Sequence, residues 1–406
     1  MLAQPVTATM TGFPVAPENL VTLANWQDPP FNRWAFRHLR EVIPTHRIAA
    51  TGAATGNATA LPADPRQILG IPVERMDGSE STVADVLATT DTDAVVVVHG
   101  GRIVHESYAP DMPTDTAHLL MSVSKSVVSC VAGVLVARGV LDVEAPVATY
   151  VPEVAGSGYD EATVRHLLDM RTGVGFREEY TSLDAEVRVM ERSMGWRPLA
   201  DGDPVGMYAF LTTLKPEGRH GGPFVYRSAD TDMLGWVVER AAGVRMADLI
   251  SELVWQPIGT EHDADITCDA VGSAVHDGGM SATARDLARF GLMLLNHGRV
   301  GERDVVPASW VDDALQPDDD VREAFAGSDS APYLPNGWYR NQFWCVPGSH
   351  GTVLLCLGIH GQMVHVNRVT DTVAVKLSSW PDAQDPARLV DTIRAFSAVG
   401  ANLSES

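Results

Sequence analysis

Apolar positions follow two rhythms along this chain, and the rhythms are segregated. Asp93 to Tyr108 holds two β-rich runs, Ala94 to Val98 and Ile103 to Tyr108, either side of Gly100-Gly101, a hairpin signal. Near the other end, Val353 to His360, Gln362 to Asn367 and Val373 to Ser379 are three more strand runs, and Pro386 to Ala398 reads as a closing helix. Between them the apolar spacing is helical. It predicts helices after Ser122 as far as Arg138-Gly139, over Thr163 to Met170, Val205 to Leu214, Asp230 to Ala242 and Met246 to Val254. Thr82 to Thr89 reads as a short helix, and Gly278 to His297 as a turn entering another. Strands at both ends with few between them predict an α+β fold. Its antiparallel sheet is built from both chain ends and covered by helices, with an inserted all-helical lobe.

Composition divides the chain further. Residues 1–75 are rich in Ala, Thr, Pro and Gly and read as an arm packed on a body. Exposed Trp26 and Trp34 would be costly, so both are expected to dock. Residues 76–160 and 271–406 form the α/β body, and 161–270 the helical lobe. Thr51 to Ala63 is expected to be a flexible loop, and Asp318 to Gly337 a charged one.

The charge of −22 argues against nucleic acid and anionic membranes as partners. No stretch has the length and apolarity of a membrane span, and no charged n-region precedes an apolar h-region, so a cytoplasmic protein is expected, monomer or homodimer. Cys130, Cys268, Cys345 and Cys356 show neither paired nor metal spacing. His262-Asp263-Ala264-Asp265 reads as a solvated turn. No phosphate-binding, dinucleotide-binding or zinc-protease motif is present, so no metal and no organic cofactor is expected.

What chemistry remains lies in three short segments. Ser122 precedes Lys125 by three residues at a helix start, so hydroxyl and amine share a face. An amine that has lost its proton can activate a serine, and the helix N-terminus favours the developing negative charge. The chain has only three lysines, Lys125, Lys215 and Lys376, and the flanks of Lys125 are apolar. A buried lysine with a lowered pKa is the expectation. The second segment is Tyr226-Arg227-Ser228, where residues two apart in extended chain point the same way and a phenol can shuttle a proton. The third is Leu357-Gly358-Ile359-His360-Gly361, glycines in a strand pattern, which imply a close-lying backbone or ligand. His360 could edge a site there, while His365 reads as structural.

Ser-x-x-Lys, then Tyr-x-Ser, then a glycine-containing C-terminal strand, in that order, resemble the serine β-lactamase and penicillin-binding-protein superfamily over about residues 80–400. His166 to Gly173 and Gly278 to Leu287 resemble it too. The class C-like branch is the nearest match, and in it the 6-aminohexanoate-dimer hydrolases and related carboxylesterases, through Met121 to Ser126, Tyr180 after Gly175-Phe176, and Gly358 to Gln362. The resemblance implies an acyl-serine hydrolase of small-molecule linear amides or carboxylic esters. Ser122 would be the nucleophile, Lys125 and Tyr226 the proton relay, Tyr180 a contact to the amide nitrogen, and the N–H groups of Ser122 and Ile359 the oxyanion hole. An acyltransferase on the same residues is the alternative, and a β-lactamase or peptidase the less favoured one. Two departures stand out: Ser228 replaces the family's Asn, and the Lys-Thr-Gly of the third motif is absent.

Overall fold

The computed structural model describes residues 8–50 and 60–405, so residues 51–59 of the expected Thr51 to Ala63 loop lie outside it. A seven-stranded antiparallel sheet forms the centre. Its order is Trp338–Arg340, Phe343–Gly348, Gly351–Gly358, Gln362–Asn367, Thr372–Ser378, Thr92–His99, Arg102–Tyr108. The two chain ends meet where Ala374 pairs with Val97 and Val375 with Val96. Gly100 and Gly101, at φ 56° and 71°, turn the hairpin. The strand Thr92–His99 is buried along nearly all its length, which explains its unbroken apolar run.

Helices cover the sheet. Ala284–Leu295, capped by Thr283, packs on the strands Gln362–Asn367 and Thr372–Ser378. Val123–Ala137 lies between the strand Gly351–Gly358 and the helix Ser228–Ala242. Pro386–Ser404 packs on Val83–Thr89. Residues 161–270 carry Val164–Leu168, Glu186–Ser193, Met207–Leu211, Ser228–Ala242 and Met246–Ile250, then the strand Ala264–Thr267.

Several segments differ from the sequence expectation. A second sheet runs Thr45–Ile48, Ala264–Thr267, Met280–Ala282, His118–Leu119; its strands are too short to show a period. The arm therefore contributes a strand and a short helix, Phe31–Ala35, rather than extended chain alone. Within the expected Asp318 to Gly337 loop, Asp319–Ala326 is a helix whose first turn is capped by the Asp318 side chain. Trp26 is buried and donates its indole N–H to the Trp196 carbonyl at 2.7 Å. Trp34 is half-buried and stacks on His38 at 4.2 Å. All four cysteines are buried free thiols. No helix of the described residues is long and apolar enough to cross a membrane.

One close approach ties the helix Ser228–Ala242 to the turn that follows Val275. A Cβ on Gly235 would come within 2.0 Å of the His276 ring, which is fully buried. Gly235→Ala is therefore expected to cost about 1–3 kcal/mol through overpacking. Urea unfolding at neutral pH measures it; an unchanged midpoint would show that the ring yields freely.

Candidate active site

Ser122 sits at the start of the helix Val123–Ala137, where the first N–H groups have no intrahelical acceptor. The residue before it, Met121, is held at φ 48°, a left-handed conformation that a bulky side chain rarely adopts. Gly358 explains how that turn is braced. A Cβ there would strike the Leu120 carbonyl at 2.6 Å, so the glycine lets the sheet edge run directly beside the Ser122 turn. Ile359, the next residue, lines the same cleft as Ser122.

Lys125, only 1% exposed, is the hub. Its Nζ lies 2.8 Å from Ser122 Oγ, 3.0 Å from Ser228 Oγ and 2.8 Å from the Asp277 carbonyl oxygen. The Asp277 carboxylate stands 3.6 Å away. Ser124 and Ser126, the other hydroxyls of the motif, are engaged elsewhere. Ser124 Oγ accepts from Met280 N–H at 3.1 Å, and Ser126 donates to the Gln342 carbonyl at 2.8 Å. The Tyr226 phenol lies against both Ser122 and Lys125, and its ring stacks on Trp344 at 5.2 Å.

The electrostatics correct one expectation. Burial pushes the Lys125 pKa down. The negative charges that Tyr226, Asp277, Glu178 and Asp232 can carry push it up, and the net shift is upward. The Lys125 pKa is thus raised, not lowered as its apolar flanks suggested. Burial raises the Tyr226 phenol as well, against the opposing pull of Lys125. Behind them, burial and the neighbouring Asp277 push the Asp232 carboxyl well above its ordinary range.

Glu178 was not singled out by the sequence. Its Oε1 accepts from Tyr180 OH at 2.6 Å and from Ser228 Oγ–H at 2.7 Å, and its Oε2 accepts from Ser228 N–H at 2.6 Å. The spacing Glu178-x-Tyr180 was visible, and in extended chain it turns both side chains one way. Asp232 was visible too, four residues beyond Ser228 on one helix face.

Ser122, Lys125, Tyr226, Ser228, Tyr180 and Ile359 are thus brought together. His360 is not. Its Nδ1–H donates to the Trp380 carbonyl at 2.8 Å, and the ring packs edge-on against Phe36 at 5.2 Å. Burial lowers its pKa to about 4, so it is a neutral scaffold residue beneath the Ile359 turn rather than an edge of the site. Lys376, on the neighbouring strand, does not stand in for the missing third-motif lysine. It is buried and donates to the Thr90 carbonyl at 3.1 Å and to Ser378. Among the described residues no cluster of His, Cys, Asp and Glu could hold a metal ion.

The cleft above Ser122 is narrow, with room of about 10 Å³ for the centre of a water-sized sphere, and opens to solvent. Met121, Val187, Met190, Met194, Trp196 and Ile359 give it an apolar wall, with Tyr180 and Asp277 as polar edges. Glu191 also faces it, but is paired with Arg188 at 2.6 Å and Arg197 at 2.7 Å.

Comparison with known proteins agrees with this geometry. A family profile described as Beta-lactamase matches residues 81–398. The chain is 40% identical over 397 residues to a 6-aminohexanoate-dimer hydrolase of Paenarthrobacter ureafaciens, covering 95% of this chain and 97% of that protein. It is 32% identical over 204 residues to esterase EstB of Burkholderia gladioli, which covers 46% of this chain and 50% of that one. A solved Bacillus anthracis structure, provisionally named a 6-aminohexanoate-dimer hydrolase, superimposes with a TM-score of 0.85 at 25% identity, over 96% of this chain and 97% of that one. The chain belongs to the β-lactamase family, within which it is a serine hydrolase of the amide- and ester-cleaving kind.

Proposed function

We propose that this enzyme hydrolyses linear amides flanked by unbranched methylene chains, and carboxylic esters of similar shape, through an acyl-Ser122 intermediate. One observation carries the reading: Lys125 Nζ stands 2.8 Å from Ser122 Oγ at the floor of a narrow cleft walled by methionines. Methionine side chains are unbranched and flexible, and mould to a polymethylene chain. The 6-aminohexanoate-dimer hydrolase to which the chain is similar supports this substrate class.

The steps follow from the geometry. The Lys125/Tyr226 pair first loses one proton, and the charge that remains belongs to the pair. Ser122 Oγ attacks the carbonyl carbon and passes its proton to that pair. The oxyanion rests on the N–H groups of Ser122 and Ile359, an arrangement worth about 10²–10³ in rate per donor elsewhere. Tyr226 returns the proton to the departing amine or alcohol. Water then attacks the acyl ester and gives a proton to the pair, and the pair passes that proton to Ser122 Oγ as the C–O bond breaks and the acid leaves.

Tyr180 separates the two leaving groups. Its hydroxyl proton is committed to Glu178, so toward the cleft its oxygen offers lone pairs. An amide N–H can donate to them; an ester has no such hydrogen. Tyr180→Phe is expected to lower kcat/KM on a linear amide by about ten- to a hundredfold, the worth of one hydrogen bond of roughly 1.5–3 kcal/mol, while a matched p-nitrophenyl ester is little changed. Equal losses on both would leave Tyr180 as scaffold and the enzyme a plain carboxylesterase.

Apart from Lys125 on its floor, which is already committed to Ser122, Ser228 and Asp277, no lysine or arginine lines the described cleft. Arg340 is paired with Asp169 at 2.8 Å and Asp313 at 2.9 Å, and Arg368 with Asp312 at 2.6 Å. A β-lactam carboxylate therefore meets no uncommitted cation on the cleft lining. Nitrocefin turnover is expected to be far slower than that of a short p-nitrophenyl ester; efficient nitrocefin hydrolysis with saturation at low substrate would contradict this.

A further inference from the structure

We propose that Glu178 is a positioning residue whose carboxylate sets the direction of the Ser228 hydroxyl and thereby aims Lys125 at Ser122. A hydroxyl has one proton to give. Ser228 gives its own to Glu178 Oε1, 2.7 Å away, while its backbone N–H holds Oε2 at 2.6 Å. Toward Lys125 Nζ, 3.0 Å off, Ser228 can therefore present only a lone pair. The Asp277 carbonyl, at 2.8 Å, likewise only accepts. Two directions around Nζ are thus taken by donated hydrogen bonds, and the third faces Ser122 Oγ at 2.8 Å, with the Tyr226 phenol beside it and the Asp277 carboxylate farther off at 3.6 Å. This holds in either protonation state. With two hydrogens, the lone pair is left pointing at Ser122; with three, the third N–H is.

The same geometry shows how the aim is lost. A protonated carboxyl at position 178, or an amide, becomes a donor to Ser228 Oγ. The Ser228 proton then has to turn toward Nζ. There it either takes up the amine lone pair or opposes an ammonium N–H. The groups facing Glu178 are Lys125 from the nucleophile helix, Tyr180 from its own loop, Tyr226 and Asp230 around the start of the helix Ser228–Ala242, and Tyr339 from the sheet edge. Burial raises the Glu178 carboxyl, while Lys125 and the hydrogen bonds from Tyr180 and Ser228 oppose it. Protonation of Glu178 should accordingly add to the loss of turnover on the acid side. The isosteric amide should be harmful, although it preserves volume and shape.

The proposal rests on Ser122 as nucleophile and Lys125 as its proton partner. Failure of that reading shows as activity retained by Ser122→Ala; failure of this one shows only in the following cycle. Wild type, Glu178→Gln, Ser228→Ala and the double variant are compared on p-nitrophenyl butyrate, an ester for which Tyr180 has no N–H to receive. Glu178→Gln is expected to lower kcat by about ten- to a hundredfold with KM changed by less than about threefold, and in the Ser228→Ala background the same change should cost less than about threefold. A Glu178→Gln enzyme within about threefold of wild type, or an equal loss in both backgrounds, would overturn it. If Glu178→Gln does not fold, Ser228→Ala alone decides. Without the lone pair that Glu178 aims at Nζ, Ser228→Ala should lower kcat by at least about threefold with KM little changed, and a wild-type kcat would overturn the proposal.

Discussion

The site depends on a lysine ammonium removed from water. Burying such an ion costs several kcal/mol unless its hydrogens are all accepted and its charge is met. Around Lys125 both conditions are satisfied by different parts of the chain. Its own helix supplies Ser122, the helix Ser228–Ala242 supplies Ser228, and the turn before Gly278 supplies the Asp277 carbonyl and carboxylate. The loop at Glu178 supplies a further negative charge. Moving any of these elements by an ångström would strand a buried donor, at about 1–3 kcal/mol.

The walls of the cleft are built on the same logic of close approach. The Gly358 strand abuts the Leu120 carbonyl, which sets Ile359 beside Ser122. The arm reaches the opposite wall, where Trp26 packs edge-on against Trp196 at 5.3 Å and bonds its carbonyl. Trp196 in turn donates to Thr267 Oγ1 at 3.0 Å, so the small sheet, the arm and the cleft share one support. Below the Ile359 turn, Gln362 donates to the Ser378 carbonyl at 2.7 Å and accepts from Ser378 N–H at 3.1 Å, fixing one strand to the next.

The sequence made the sheet and the Ser122–Lys125 pair legible because both carry strong local signals. The strand Thr92–His99 is buried on both faces and reads as an unbroken apolar run, and Ser122 and Lys125 sit at a spacing that only a helix makes meaningful. The small sheet was not legible: its strands of two to four residues are specified by distant partners such as Thr45 with Thr267. Glu178 and Asp277 belong to no motif, and their approach to Lys125 is a property of the tertiary fold. For the same reason the charge of Lys125 was misjudged. Apolar neighbours in sequence implied a neutral amine, whereas the neighbours in space include carboxylates. His360 looked chemical beside Gly358, yet its ring turns under the strand to Trp380.

The central claim is that Ser122, aimed by Lys125, is the atom that becomes acylated. Treatment with a p-nitrophenyl phosphonate ester, followed by intact mass measurement and peptide mapping, tests it directly. The account predicts one adduct per chain, on Ser122, with activity lost in step and no adduct in Ser122→Ala. An adduct on Ser124, Ser126 or any other residue, or turnover that survives in Ser122→Ala, would contradict it.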